Sequence, residues 1–139
     1  MSCVVRVAGD QLDIDALLAL IKLPADAIRR KGQPRGISGR LHTTSGANFF
    51  VSDADFDEFG QQLKDATVFL DLHRVVLLTM VDYPGVESTV LDFGVSLSRN
   101  CFARSSRLPP SFIRAAAAIG IGVEISCYLC DDDETQADP

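Results

Sequence analysis

A chain of 139 residues has the length of one domain, and 47% hydrophobic with 23% charged residues is the composition of an ordinary globular unit. No apolar run approaches the roughly 20 residues that cross a bilayer. The net charge of −6 argues against the extended positive surface that nucleic-acid binding needs. Five acids fall in the last nine residues, "DDDETQADP", which leaves residues 1–130 at −1. The acidity therefore belongs to an expected disordered tail at 131–139, behind a single nearly neutral domain at 1–130. The opening "MSCVVRVAGD" lacks the pattern of a secretory leader, so a cytoplasmic location is the expectation.

In chain order, "SCVVRVAG" (2–9) reads as a first strand ending at Gly9. Ile14, Leu17, Leu18 and Ile21 recur at helical spacing, with Asp13 as N-cap and Pro24 as a stop. "GRLHTTSGANFFVS" (39–52) reads as a hairpin turning at Ser45-Gly46. Asp53, Asp55, Asp57 and Glu58 then gather around Phe56 and ahead of Phe59 and Leu63, as suits a helix N-terminus. The helical pattern continues through Leu72, Val76 and Met80, as one helix or as two with a break near Asp65.

"STVLDFGVSLS" (88–98) alternates, Leu91, Phe93, Val95 and Leu97 against Asp92, Gly94 and Ser96, as a half-buried strand does. "LPPSFIRAAAAIG" is a helix with Pro110 at its first position and Gly120 closing it. In "GVEISCYLC" (122–130), Val123, Ile125, Cys127 and Leu129 oppose Glu124, Ser126, Tyr128 and Cys130. The order predicts an α+β two-layer sandwich of ferredoxin-like character. Its mostly antiparallel sheet of about four or five strands carries helices on one face.

Candidate chemistry is sparse. Cys127 and Cys130 form a CxxC, but on a strand they lie roughly 10 Å apart and face opposite ways, too far for a disulfide; Cys127 is expected in the core. A zinc site would need a further cysteine or a histidine beside them, and no second spaced pair is present. The acids at 53–58 lack the glycine and the distant glutamate of a calcium loop. No nucleophile elbow accompanies His42 or His73, so no catalytic residue, metal or cofactor is assigned. One feature stands out: no acid interrupts residues 27–52, where Arg29, Arg30, Lys31, Arg35 and Arg40 gather beside His42. Such a segment would dock a carboxylate, a phosphate or an acidic protein surface, or simply hydrate a turn at Gly32 and Pro34.

"VRVAGDQLDIDALLALIKLPADAIRRKGQPRG" and "LDFGVSLSRNCFARSSRLPPSFIRAAAAIGIGVEISCYLC" resemble the opening and closing of the bacterial domain-of-unknown-function family 4279. The first carries a G-D-x-L-D step and an R-K-G-x-P-R turn. The resemblance covers most of residues 4–130 and is loose between 41 and 88. It implies a compact α+β fold and no known reaction. Two functions are therefore carried forward. One is a non-enzymatic protein-binding module, such as an immunity protein or regulatory partner of a toxin or neighbouring gene product. The other is a binder, or enzyme, of a small anionic ligand held by the 29–42 segment.

Overall fold

The computed structural model describes residues 1–130, so the tail expectation lies outside the described residues. The elements are β1 (Cys3–Gly9), α1 (Ile14–Ile21), β2 (Ala27–Arg29), β3 (Ser45–Ser52), α2 (Phe59–Leu72), α3 (Arg74–Val81), β4 (Ser88–Ser98), α4 (Pro110–Ile119) and β5 (Gly122–Cys130). One five-stranded sheet runs in the order β2-β3-β1-β4-β5. β1 is its centre, antiparallel to both β3 and β4, while β4 and β5 are parallel. This is the expected two-layer α+β sandwich. Its connectivity is its own, because β4 and β5 lie side by side, whereas a ferredoxin-like split βαβ keeps a third strand between its parallel pair.

The core follows from strand alternation. Cys3, Val5 and Val7 of β1, Ala47, Phe49 and Val51 of β3, and Leu91, Phe93 and Val95 of β4 all turn inward and are buried. The helices close over them with Leu17, Leu63, Leu70, Leu77, Met80 and Phe112. Phe93 meets the rings of Phe59 and Phe112 edge to face, at 5.3 and 5.7 Å between centroids. Local caps behave as their residues dictate. Asp13 accepts from the Ala16 N–H at 3.1 Å, Pro110 opens α4, and Gly120 ends it in the left-handed region at φ 85°.

Three expectations are corrected. Ser45-Gly46 is not a turn: β3 is continuous from Ser45, and the true hairpin partner is β2. Gly46 is small for another reason. A Cβ there would lie 2.2 Å from the Val7 carbonyl oxygen and 2.8 Å from an Arg29 guanidinium nitrogen, so its absence lets Arg29 lie across β3. The stop at Pro24 falls where expected, just beyond the left-handed Lys22 that caps α1. The break between α2 and α3 falls at His73, not Asp65; the His73 N–H still reaches the Phe69 carbonyl, and its ring packs 4.6 Å from that of Phe69. The acids at 53–58 form a loop ahead of α2, and Glu58 at the N-cap position makes no side-chain capping bond.

The fifth strand departs furthest. Cys127 is exposed rather than buried. Its inward-facing neighbours Val123, Ile125 and Leu129 are 40%, 37% and 66% exposed. The reason is placement. β5 is the last strand of the sheet, and α4 directs Phe112 toward Phe93 on β4, so the helix layer stops short of the edge.

Candidate functional site

The basic segment does not converge on one point. From β2 the chain runs out as an arm closed by the Pro34–Leu41 bridge. Its backbone rungs join Gly32 to His42, His42 to Gln33, and Arg35 to Arg40, with the chain turning through the left-handed Gly36 and Gly39. Arg30 makes a two-pronged ion pair with Asp15 of α1, at 2.7 and 3.0 Å, and Lys31 binds Asp10 at 2.6 Å. These bonds hold the Asp15 and Asp10 carboxyls below their ordinary pKa. Arg35, Arg40 and His42 stay on the arm. Only Arg29 turns onto the open sheet face, where it donates to Asn48 Oδ1 at 2.8 Å. Burial, and then the neighbouring Arg6 and Arg35, lower its pKa. Arg30 and Lys31 thus pin the arm to α1 and the β1–α1 connection.

Across the same open face runs a polar row. Arg6 of β1 pairs with Asp92 of β4 at 3.3 Å and with Glu124 of β5, and Ser126 donates to Asp92 at 2.7 Å. Further along, the Phe56 ring covers Gly94 and meets Tyr128 edge to face at 5.6 Å. A Cβ on Gly94 would lie 2.5 Å from that ring, so any other residue there would push the ring from its place. Gln62 secures the loop from within, donating to the Gly94 and Asp55 carbonyls at 2.8 and 3.2 Å.

The concave feature lies at the other edge. β2 covers only Gly46–Asn48 of β3, so the stretch from Phe50 onward has no neighbouring strand on that side. The Asp26 carboxylate accepts from the Phe50 N–H at 2.5 Å, standing in for the missing strand at one position. A register shift opposite Cys3 and Val4 bulges β3 here and leaves both Val51 and Ser52 buried. Ser52 then donates to Asp65 of α2 at 2.6 Å, and Gln61 donates to the same carboxylate at 2.9 Å.

Between this edge, the α1–β2 connection and α2 opens a groove of about 750 Å³. Its apolar lining includes Leu23, Phe50, Val68, Phe69 and Leu72, and its polar lining holds the carboxylates of Asp26, Asp53, Glu58 and Asp65. No arginine or lysine is among the described residues that line it, the Met1 ammonium pairs with Asp53 at 2.9 Å, and His73 is part of the lining. The carboxylates do not converge as ligands: among the described residues no group of three His, Cys, Asp or Glu side chains is placed to hold a metal ion.

No family model matches the chain, and no curated protein or solved structure matches it.

Residue patterns missed this groove. The 53–58 acids look like helix caps, and Asp26 and Asp65 are separated from them in sequence. The one available signal was the acid surplus itself, four carboxylates in six residues where a helix start needs one or two.

Cys3 is the cysteine that packing makes inert. Burial first, and then the charges of Asp92 and Asp65, push its thiol far above the ordinary range. In native protein, Cys101, Cys127 and Cys130 are expected to react promptly with an alkylating reagent, and Cys3 only after denaturation. Mass spectrometry of the labelled chain counts them; four thiols reacting together would contradict this packing. The same shift sets a sign. An unfolded thiol ionises near pH 8.5, while native Cys3 keeps its proton. Its contribution to stability is therefore intact below that pH and is lost as pH rises beyond it.

Proposed function

We propose that this protein acts by binding another protein, and that the groove beside β3 receives an extended, cationic and partly apolar segment of that partner. The observation that carries the reading is the pairing of an uncovered strand edge with a groove holding four carboxylates and no lining arginine or lysine. A peptide entering there would extend the sheet beyond the short β2 and gain backbone hydrogen bonds. Its alternate side chains would meet either the apolar wall or the carboxylates. Asp26 guards that edge in the free protein by occupying the Phe50 N–H, and an incoming strand would displace it. Arg30 and Lys31 support this site indirectly, because their ion pairs hold the arm that follows β2 against α1.

Fluorescence anisotropy with two labelled nine-residue peptides tests the proposal, one alternating lysine with valine and the other glutamate with valine. The lysine peptide is expected to bind, more weakly as salt is raised, and the glutamate peptide is not. Asp53→Asn combined with Glu58→Gln removes two exposed charges without touching the core. At about 0.2–1 kcal/mol for each charge, affinity should fall about two- to thirty-fold. Equal binding of both peptides, or no loss in the double variant, would overturn the reading.

A further inference from the structure

We infer that β5 is a self-association edge, on which two copies of the chain pair antiparallel about a twofold axis at Ser126 to make one continuous ten-stranded sheet. This goes beyond the groove beside β3. It concerns the opposite edge of the sheet and stands or falls separately.

The two edges are built differently. At β3 the open stretch is short, and the Asp26 carboxylate blocks it. β5 presents nine residues with no strand on its outer side among the described residues. It contains no proline, lysine or arginine, the residues that usually protect an exposed edge. Its single carboxylate, Glu124, is held by Arg6 over the open face. The inner side of the strand is the apolar stripe of Val123, Ile125 and Leu129 that the helix layer leaves uncovered. Beside it, a cavity of about 280 Å³ is lined by Val95, Leu97, Ile125, Cys127 and the exposed Phe102.

The strand is also complementary to itself. With Ser126 opposite Ser126 of a second copy, Val123 faces Leu129 and Ile125 faces Cys127 on the inner side. On the outer side Glu124 faces Tyr128, and Gly122 faces Cys130. Every apolar residue of the stripe meets an apolar residue or a thiol, and no carboxylate opposes a carboxylate. Moving the axis to Cys127 would run Gly122 and Val123 past Cys130 at the end of the partner strand, and moving it to Ile125 would run Leu129 and Cys130 past its start. Alternation demands an axis on a residue, because opposed residues of an antiparallel pair share a face. The strand ends at Cys130 lie roughly 26 Å apart in this pairing.

Sedimentation velocity of the full chain over a range of concentrations is expected to show a monomer–dimer equilibrium. Leu129→Lys, at a side chain already largely exposed, should abolish the dimer while leaving the circular dichroism spectrum unchanged. Crosslinking decides the register and does not depend on that variant. With Cys101 and Cys130 changed to serine, a short thiol-to-thiol crosslinker should join Cys127 across the axis, where diagonal neighbours are about 7–8 Å apart. With Cys101 and Cys127 changed instead, Cys130 should not be joined. A monomer at every concentration, a dimer indifferent to Leu129→Lys in folded protein, or crosslinking at Cys130 in preference to Cys127 would overturn the inference. None of these outcomes bears on peptide binding beside β3.

Discussion

Phe93→Ala is expected to lower stability by about 3–5 kcal/mol, the range for removing a fully buried aromatic ring. Phe93 has no exposed surface and stands at the middle of β4, with Phe59 of α2 on one side and Phe112 of α4 on the other. Its ring is the common contact between β4 and two helices. Truncation both removes apolar area and leaves a cavity that two separate elements would have to move to fill. Edge-to-face pairing adds about 0.5–1.5 kcal/mol per pair beyond area, which places the loss toward the upper end. Phe102→Ala is the control, because that ring is fully exposed and its loss should stay within about 0.5 kcal/mol. Urea denaturation midpoints measure both. Similar midpoints for the two variants would mean that Phe93 does not join the layers.

Gly9→Ala is expected to be comparably damaging, through overlap rather than a cavity. A methyl group at Gly9 would lie 1.8 Å from the Gly85 carbonyl oxygen and 3.2 Å from Leu12 Cβ. Neither obstacle is the loose end of a side chain. Gly85 is itself held at φ 89° with Gln11 and Leu12 backbone close by, so both glycines are locked in one contact between the end of β1 and the turn after α3. Overpacking costs about 1–3 kcal/mol where side chains can yield. Here backbone must move, and the loss should reach or exceed that upper value. Gly60→Ala sits in open space near the start of α2 and should instead stabilise by up to about 1 kcal/mol through helix propensity. Thermal unfolding of the two alanine variants should therefore shift in opposite directions; a shared direction would contradict the close approach at Gly9.

Elements whose signal is local were legible. Alternation marked β4 and β5, and β1 ends at the glycine where its apolar pattern stops. Asp13, Pro110 and Gly120 sit at helix ends because capping depends on residues within a turn of one another. The errors share a cause. Ser45-Gly46 resembles a turn, but glycine is needed there by Arg29 and Val7, which arrive from other strands. The acids at 53–58 resemble helix caps, but two of them, Asp53 and Glu58, join Asp65 and the β3 edge in a groove wall.

Arg29, Arg30 and Lys31 show the same division within three residues. Their clustering is visible in the chain, yet Asp15 and Asp10 take two of the charges, and the third turns onto the sheet. Cys127 shows it again. Its alternating neighbours announce a strand with an apolar side, and that much is correct. Whether an apolar side becomes core depends on strand order and on where the helices rest. Periodicity carries the secondary structure, the two-layer class and the near-neutral charge of residues 1–130, because each follows from neighbours in sequence. Burial of β5, the opening beside β3 and the pairing of the basic segment depend on contacts between distant parts of the chain, and only the folded arrangement decides them.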